Sequence, residues 1–161
     1  GSGCIAIATK LKVPNTHLIA FDLSDDALAL AKENAESNNV QIDWYNSNLL
    51  GPIPDWVSCG KDNIWISNPP YIPVSEILDK SLGFEPDMAL YVPDNNPIIY
   101  YQKIIKWSLK GLKKGGFLFL EVHYNFSFKI KIYLEKQNKW SDISIIDDDC
   151  GKHRFIKAVR E

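Results

Sequence analysis

Asn63–Ser67 (NIWIS), followed at once by Asn68-Pro69-Pro70-Tyr71, is the stretch that decides the fold. A short apolar run bounded by turn residues predicts a buried strand, and the two prolines predict a rigid bend directly after it. On either side, His17–Leu23 and Phe117–His123 are further apolar runs, and segments with helical spacing lie between them. Strands that alternate with helices predict an α/β domain with a mostly parallel sheet. Such sheets bind ligands beyond the carboxyl ends of their strands.

The other elements follow from the same spacing and from turn signals. Ser24 is predicted to cap a helix that Asn38-Asn39 ends, and Lys113-Lys114-Gly115-Gly116 is predicted to end another. The last two strands have no helix between them and are predicted to form an antiparallel hairpin. The predicted helices are Cys4–Lys12, Asp25–Ser37, Pro97–Leu112 and Ser127–Lys139, with Phe128, Ile132, Tyr133 and Leu134 facing inward in the last. The remaining predicted strands are Val40–Tyr45, Ile143–Asp147 and Phe155–Arg160.

Length and composition narrow the class of protein. A chain of 161 residues has the length of one domain, and no internal domain boundary is predicted. The net charge of −2 argues against a sequence-blind nucleic-acid binder, which would carry a strongly basic face. No apolar run is long enough for a membrane span. The three cysteines lack metal-ligand spacing, so no metal site is predicted, and reduced thiols are expected in a cytoplasmic protein.

The chain opens with Gly1-Ser2-Gly3, and Asp22 ends the next strand, 19 positions after Gly3. Glycines let the backbone approach a ligand closely, and an acidic strand end at this offset can accept hydrogen bonds from both hydroxyls of a ribose. The pattern predicts a cofactor that contains a nucleoside. It fits enzymes that use NAD as well as those that use S-adenosylmethionine, and it is also compatible with a packing turn or, for the three opening residues, a cloning scar.

Asn68-Pro69-Pro70-Tyr71 is the more specific signal. The nitrogen of an amide or aromatic amine is a poor nucleophile because its lone pair is delocalised. The Asn68 side-chain oxygen can accept one N–H and the Pro69 carbonyl the other, which holds the nitrogen and increases its electron density during methyl transfer. The prolines keep that carbonyl aimed, and the Tyr71 ring can stack on a planar amide or base. Asn68 and Pro69 are therefore the predicted catalytic residues, and Asn68, Pro69, Pro70 and Tyr71 the predicted substrate site.

Taken together, these motifs resemble the class I S-adenosylmethionine-dependent methyltransferases and, among them, the HemK/PrmC family of protein-glutamine methyltransferases. The family also shows an aromatic-Glu-Pro run similar to Gly83-Phe84-Glu85-Pro86, with Ala89-Leu90 behind it. The stretch from Asp148 to Arg154 resembles the family's Asp-x-x-Gly-x-x-Arg hairpin. The resemblance covers essentially the whole chain. It implies a Rossmann-like fold and methylation of a glutamine in a peptide chain release factor.

The resemblance also assigns the site residue by residue. S-adenosylmethionine is expected to contact Gly1, Gly3, Asp22 and Asn68, with Asn48 near the adenine, where the family usually has an acidic residue. The substrate glutamine amide is expected at Asn68 and Pro69, with Tyr71 beside it. His123 stands where a small residue is common and is interpreted as structural or pocket-lining. Glu121 is interpreted first as a buried carboxylate whose hydrogen bonds are all made. The second interpretation is a residue that supports the site residues from behind.

The family's glycine turn follows a strand with an acidic end and a helical domain that binds the release factor. We therefore interpret residues 1–161 as a methyltransferase catalytic domain without that helical domain. Its seven-stranded sheet would lack the first, central strand, which leaves two inner strand edges unpaired. We expect the 161-residue chain alone to bind S-adenosylmethionine poorly and to be inactive. Micromolar affinity in isothermal titration would contradict this.

Two alternatives use the same motifs. The Asn68–Pro69 geometry would serve equally for the exocyclic amine of adenine in DNA, although the negative net charge disfavours a DNA substrate. Lys129, Lys131, Lys136 and Lys139 share one predicted helix, but such a run usually forms a solvated face. The other alternative is a methyltransferase-like domain without catalytic activity.

Overall fold

The structure is a computed structural model that describes residues 1–57, 60–73 and 91–161. It divides into two compact units, Gly1–Pro52 and Ile53–Glu161. The boundary between the units falls inside the proline-containing loop Gly51-Pro52-Ile53-Pro54, and one catalytic domain over residues 1–161 stays a prediction. Among the described residues, no helix has the length and apolar character needed to cross a bilayer.

The first unit confirms the predicted order of helix, strand, helix and strand. Ser24 caps the second helix as predicted, since its hydroxyl accepts the N–H of Ala27 at 3.2 Å. The two strands pair in parallel, with Asp22 opposite Asn46 at their carboxyl ends. The four elements are α1 (Cys4–Lys12), β1 (Ile19–Asp22), α2 (Asp25–Ser37) and β2 (Asp43–Asn46).

The second unit is built on a four-stranded sheet of order β3-β6-β8-β7. β3 and β6 are parallel, whereas β8 runs antiparallel to β6 and to β7, which confirms the predicted C-terminal hairpin. β4 and β5 form a separate parallel pair of two residues each. The elements are β3 (Asp62–Ser67), β4 (Ile72–Pro73), β5 (Tyr91–Val92), α3 (Ile99–Gly111), β6 (Leu112–Glu121), a 3-10 turn (Tyr124–Phe126), α4 (Ser127–Glu135), β7 (Trp140–Asp147) and β8 (His153–Arg160).

The two faces of this sheet differ in burial. Leu118 and Ile156 are fully buried on one face, together with side chains of the two helices. Ile64 and Ile66, on the other face of β3, are about half exposed, at 53% and 49%. The core of the second unit therefore lies on one side of the sheet. Its largest fully buried side chains are Trp107, Tyr101, Ile104, Ile105, Leu112, Leu118, Leu120, Ile130, Leu134 and Ile156.

The end of α3 differs from the prediction. Lys113-Lys114-Gly115-Gly116 belongs to β6, and the helix ends earlier, at Gly111. A Cβ at Gly111 would lie 2.6 Å from the Asp62 carboxylate and 2.8 Å from the Trp65 ring. Close packing against β3 thus requires glycine at the position where the chain leaves the helix and enters the strand. This contact joins residues far apart in sequence, so local turn signals could not reveal it.

The buried stripe of α4 also differs from the prediction. Phe128 is 61% exposed and Ile132 is 49% exposed, whereas Ile130 and Leu134 are fully buried. The prediction for Leu134 is confirmed and those for Phe128 and Ile132 are wrong. Ile130 and Leu134 are four residues apart on one helix face, and Phe128 instead places its ring edge against His153, with centroids 5.2 Å apart.

The expected unpaired edges are found on β1 and β3. Among the described strands, β1 is hydrogen-bonded to β2 alone and β3 to β6 alone. Gly83-Phe84-Glu85-Pro86 and Ala89-Leu90, which contributed to the family resemblance, lie outside the described residues, as does Cys59. Cys4 and Cys150 are free and exposed.

Candidate active site

The glycine turn leads directly into α1, and its two glycines have different surroundings. Gly3 has a φ of +78°, and a Cβ there would lie 2.8 Å from the Trp44 ring and 3.0 Å from the Ala31 Cβ. A Cβ at Gly1 would meet no atom within 4 Å. Gly3 is thus needed for close packing inside the first unit, and Gly1 is the glycine with open space beside it. That both glycines also serve backbone approach to a ligand stays a prediction.

Asp22 lies beside this turn, at the carboxyl end of β1. One carboxylate oxygen accepts the N–H of Ser24 at 2.9 Å, and the other lies next to the backbone nitrogen of Gly1. The side chain keeps 28% of its surface exposed. The first unit therefore brings the predicted ribose acceptor and the glycine turn together.

The end of β2 adds a second polar segment to the same sheet edge. The N–H of Ser47 donates to the Asp22 carbonyl at 2.9 Å. Asn48 follows and is exposed, and its side-chain oxygen accepts the N–H of Leu50 at 2.9 Å. Sequence reasoning missed Asn46, whose side-chain nitrogen donates to the Asp25 carboxylate at 2.6 Å and so ties the two strand ends together. A polar residue at a strand terminus was the available signal.

The Asn68–Tyr71 bend leaves the carboxyl end of β3 in the second unit. Asn68 is exposed, Pro69 is buried, and Pro70 and Tyr71 are half-buried. The proline ring anchors the bend in the protein while the carboxamide stays accessible. This is the arrangement that a group presented to a substrate requires, and a carboxamide turned into the interior would have excluded it.

A cluster of aromatic rings stands beside this bend, where the chain leaves β6. The Tyr71 and His123 ring centroids are 5.8 Å apart, and Tyr124 and Phe126 flank His123 at 4.6 and 5.4 Å. His123 is only 8% exposed, and its Nδ1 accepts the N–H of Asn125 at 3.3 Å. His123 is interpreted as structural or pocket-lining, and Tyr71 is the predicted site residue that its ring contacts.

Tyr101, in α3, is hydrogen-bonded to the end of β6. Its hydroxyl donates to the Glu121 carbonyl at 3.0 Å, and the side chain is fully buried. Burial raises the pKa of the Tyr101 phenol far above its usual range, so the phenol stays protonated and remains a donor. The spacing of α3 predicted Tyr101 as a core residue but did not reveal this hydrogen bond.

The Asp148-to-Arg154 motif forms the β7–β8 turn. Asp148 accepts the N–H groups of Cys150 and Lys152, both at 3.0 Å, and the Arg154 Nε at 3.2 Å. These bonds lower the pKa of Asp148, that from Lys152 most strongly. The Lys152 ammonium lies 5.7 Å from the centre of the Tyr124 ring, so this turn adjoins the aromatic cluster.

Two shallow cavities of about 290 and 360 Å³ lie in the first unit, and neither is lined by a predicted site residue. Gly1, Gly3, Asp22 and Asn48 belong to the first unit, and Asn68, Pro69, Pro70 and Tyr71 to the second. Within the described ranges, no group of three or more His, Cys, Asp or Glu side chains is placed to hold a metal ion.

Comparison with known proteins places this geometry in context. Residues 1–80 match the family model of the methyltransferase small domain. The release factor glutamine methyltransferase of Bacteroides thetaiotaomicron is 32% identical over 99% of this chain, and that of Enterococcus faecalis is 36% identical over 98%. The chain is thus similar to release factor glutamine methyltransferases over nearly its whole length. It spans 58% and 56% of the length of these two relatives.

Solved structures support the fold that the sequence predicts. A methyltransferase from Pyrococcus furiosus superposes with a TM-score of 0.68 at 19% identity, over 98% of this chain and 68% of its own. A Streptococcus mutans structure in complex with SAH gives 0.56 at 16% identity, over 90% and 76%. The predicted Rossmann-like class I methyltransferase fold is confirmed.

Proposed function

We propose that the protein containing these 161 residues transfers a methyl group from S-adenosylmethionine to the side-chain amide nitrogen of a glutamine in a peptide chain release factor. The observation that carries the proposal is the Asn68–Tyr71 bend, with an exposed carboxamide fixed on a buried proline. Similarity to release factor glutamine methyltransferases over nearly the whole of this chain supports the substrate class. Residues 1–161 would together form the catalytic domain.

The cofactor residues of the first unit are proposed to be Gly1, Gly3, Asp22 and Asn48, and Asn68 is the proposed cofactor residue of the second unit. When bound, S-adenosylmethionine supplies an electrophilic methyl group on a sulfonium sulfur. The Asp22 carboxylate fits an acceptor of ribose hydroxyls, because it lies at a strand end and keeps part of its surface exposed. Asn48 is exposed at the next strand end, as a residue near the adenine should be.

The substrate side is proposed to consist of Asn68, Pro69, Pro70 and Tyr71. The Asn68 oxygen accepts one N–H of the glutamine amide and the Pro69 carbonyl accepts the other, so the nitrogen is oriented and made more electron-rich. The Tyr71 ring stacks on the plane of the amide. No general base is required at the outset, because the nitrogen becomes acidic only once it carries the methyl group, and its proton can then leave to Asn68 or to water.

The charge of the chain supports a protein substrate rather than duplex DNA. The net charge is −2, and of the lysines on α4, Lys131 is paired with Glu135. Binding of duplex DNA draws its affinity from lysines and arginines that neutralise phosphates. Binding of a protein substrate does not require phosphates to be neutralised.

The test is methyl transfer from labelled S-adenosylmethionine, followed by peptide mass spectrometry. Three substrates are compared: a release factor, the same factor with its acceptor glutamine replaced by asparagine, and duplex DNA. We expect one added methyl group on the glutamine of the first substrate only. Label on adenine would show a nucleic-acid enzyme, and binding of S-adenosylmethionine without transfer to any of the three would support a non-catalytic domain.

A further inference from the structure

His123 is buried in the second unit and touches the substrate bend without belonging to it. Its ring lies 5.8 Å from that of Tyr71, with the planes inclined by 43°. Tyr71 is itself half-buried, so part of its surface stays accessible. His123 is therefore placed to influence the orientation of a part-accessible ring.

His123 is well suited to this task because its own position is fixed from several directions. Tyr124 and Phe126 flank its ring at 4.6 and 5.4 Å, and its Nδ1 accepts the N–H of Asn125. Its backbone follows Glu121, whose carbonyl is held by the buried Tyr101 hydroxyl at 3.0 Å. A continuous set of contacts thus runs from α3 through the end of β6 to Tyr71.

We infer that His123 is a positioning residue for methyl transfer, and that its ring holds the Tyr71 ring as a fixed wall for the flat amide of the substrate. This inference rests on the proposed function. A planar amide stacks well only on a ring of defined orientation, and a ring that rotates between rotamers loses that benefit. His123 acts through Tyr71 and touches neither the cofactor nor the reacting atoms.

Two substitutions separate the ring of His123 from its hydrogen bond. His123→Phe keeps an aromatic ring and loses the acceptor for the Asn125 N–H. His123→Asn keeps an acceptor at the same place and loses the ring. His153→Asn is the matched control, because this second histidine of the unit is part-exposed and its ring contacts Phe128.

The kcat/KM for a release factor should depend on whether residue 123 carries an aromatic ring. We expect His123→Asn to lower kcat/KM for the release factor about tenfold, the upper range for loss of one aromatic pair. His123→Phe should stay within about twofold of the original protein, because the ring contact is kept. KM for S-adenosylmethionine should be unchanged in both variants, whereas a general loss of structure would change both substrates' constants. Retained kcat/KM in His123→Asn together with lowered kcat/KM in His123→Phe would overturn the inference.

A spectroscopic measurement tests the same contact without activity. The protein is labelled with fluorotyrosine, and the fluorine signal of Tyr71 is identified by its loss in Tyr71→Phe. We expect this signal to move toward that of free fluorotyrosine in His123→Asn and to stay displaced in His123→Phe and His153→Asn. An unmoved signal in His123→Asn would defeat the inference even in an active enzyme. An original protein that methylates nothing would defeat only the proposed function, since the fluorine signals would still decide the role of His123.

Discussion

The two units of the chain hold their functional residues in different ways. In the first unit, Asp22 and Asn48 lie at the ends of four-residue strands and are held by hydrogen bonds to nearby backbone. In the second, the Asn68–Tyr71 bend is anchored by buried Pro69 and backed by an aromatic cluster. The proposed substrate residues are therefore fixed by packing and the proposed cofactor residues by local polar contacts.

The cores of the two units explain this difference. The first unit buries four hydrophobic side chains, of which two are alanines: Ile7, Leu28, Ala31 and Ala35. The described residues of the second unit include three buried large aromatic side chains, Tyr101, Trp107 and Trp140, together with several buried leucines and isoleucines. Since hydrophobic stabilisation scales with the apolar area removed from water, the second unit is expected to be the more stable one.

The largest expected effect concerns the substrate side. Asn68→Ala removes the acceptor that orients the amide nitrogen, and we expect methyl transfer to a release factor to fall by about a hundredfold to a thousandfold. The melting temperature should stay unchanged because Asn68 is exposed. Asn63→Ala is the control and should keep full activity, because Asn63 is an exposed asparagine in β3, away from the bend. A methylation rate unaffected by Asn68→Ala would place the catalytic contacts elsewhere.

The second prediction compares the two cores directly. Leu118→Ala leaves a cavity in the second unit and should lower its free energy of unfolding by about 3–4 kcal/mol. Leu28→Ala, in the thinner core of the first unit, should cost about 2 kcal/mol, because its surroundings can collapse more readily. Chemical denaturation gives the values, and amide hydrogen exchange assigns each loss to one unit.

Ile66→Ala is the control for this pair, since Ile66 lies on the exposed face of the same sheet. It should cost less than about 1 kcal/mol. Equal losses for Leu118→Ala and Ile66→Ala would show that the exposed face is covered in solution. Equal losses for Leu118→Ala and Leu28→Ala would remove the contrast between the two cores.

The third prediction concerns the cofactor side. Asp22→Asn keeps the shape of the side chain but removes the charge that strengthens hydrogen bonds from ribose hydroxyls. We expect the affinity for S-adenosylmethionine to fall about tenfold or more, as for loss of charge assistance in a hydrogen-bonded pair. KM for the release factor should not change. Isothermal titration with S-adenosylmethionine measures the first effect, and steady-state kinetics the second.

Asp43→Asn is the matched control for Asp22→Asn. Asp43 begins the neighbouring strand, is exposed and hydrogen-bonds with His17 at 2.8 Å, so its loss removes the same charge away from the glycine turn. Equal weakening by both variants would indicate a general charge effect. No weakening by Asp22→Asn would remove Asp22 from the cofactor site.

The parts of the molecule that local signals control were predictable. The bounds of α1 and α2 follow from the glycine turn, the Ser24 cap and Asn38-Asn39, and the hairpin follows from two strands with no helix between them. The place of the Asn68–Tyr71 bend directly after a strand was also predictable, and its chemistry stays a prediction.

Contacts between distant residues were not predictable. Gly111 meets Trp65 and Asp62, Gly3 meets Trp44, and His123 meets Tyr71 only once the chain has folded. The same limit explains the error at Phe128 on α4, where helical spacing allowed two stripes and the sheet selected the one with Ile130.

The smallest expected effect concerns the β7–β8 turn, which is held by polar contacts as the cofactor side is. The pKa of Asp148 is lowered in the folded protein, so its ionised form stabilises the turn above the ordinary aspartate pKa. That stabilisation is lost as the pH falls from the ordinary pKa, near 3.8, through the lower folded value. The difference in melting temperature between the original protein and Asp148→Asn should therefore be present at neutral pH and shrink as the pH falls below about 3.8.

Asp149→Asn removes an equal charge one position further on and is the control for this effect. Because the turn adjoins Tyr124 through Lys152, a loosened turn should disturb the aromatic cluster slightly and leave the first unit unaffected. Fluorotyrosine signals of Tyr124 should therefore shift in Asp148→Asn, while titration with S-adenosylmethionine should give an unchanged affinity. A weakened cofactor affinity in this variant would mean that the polar turns of the two units depend on each other. The proposed cofactor residues would then not be held independently of the proposed substrate residues.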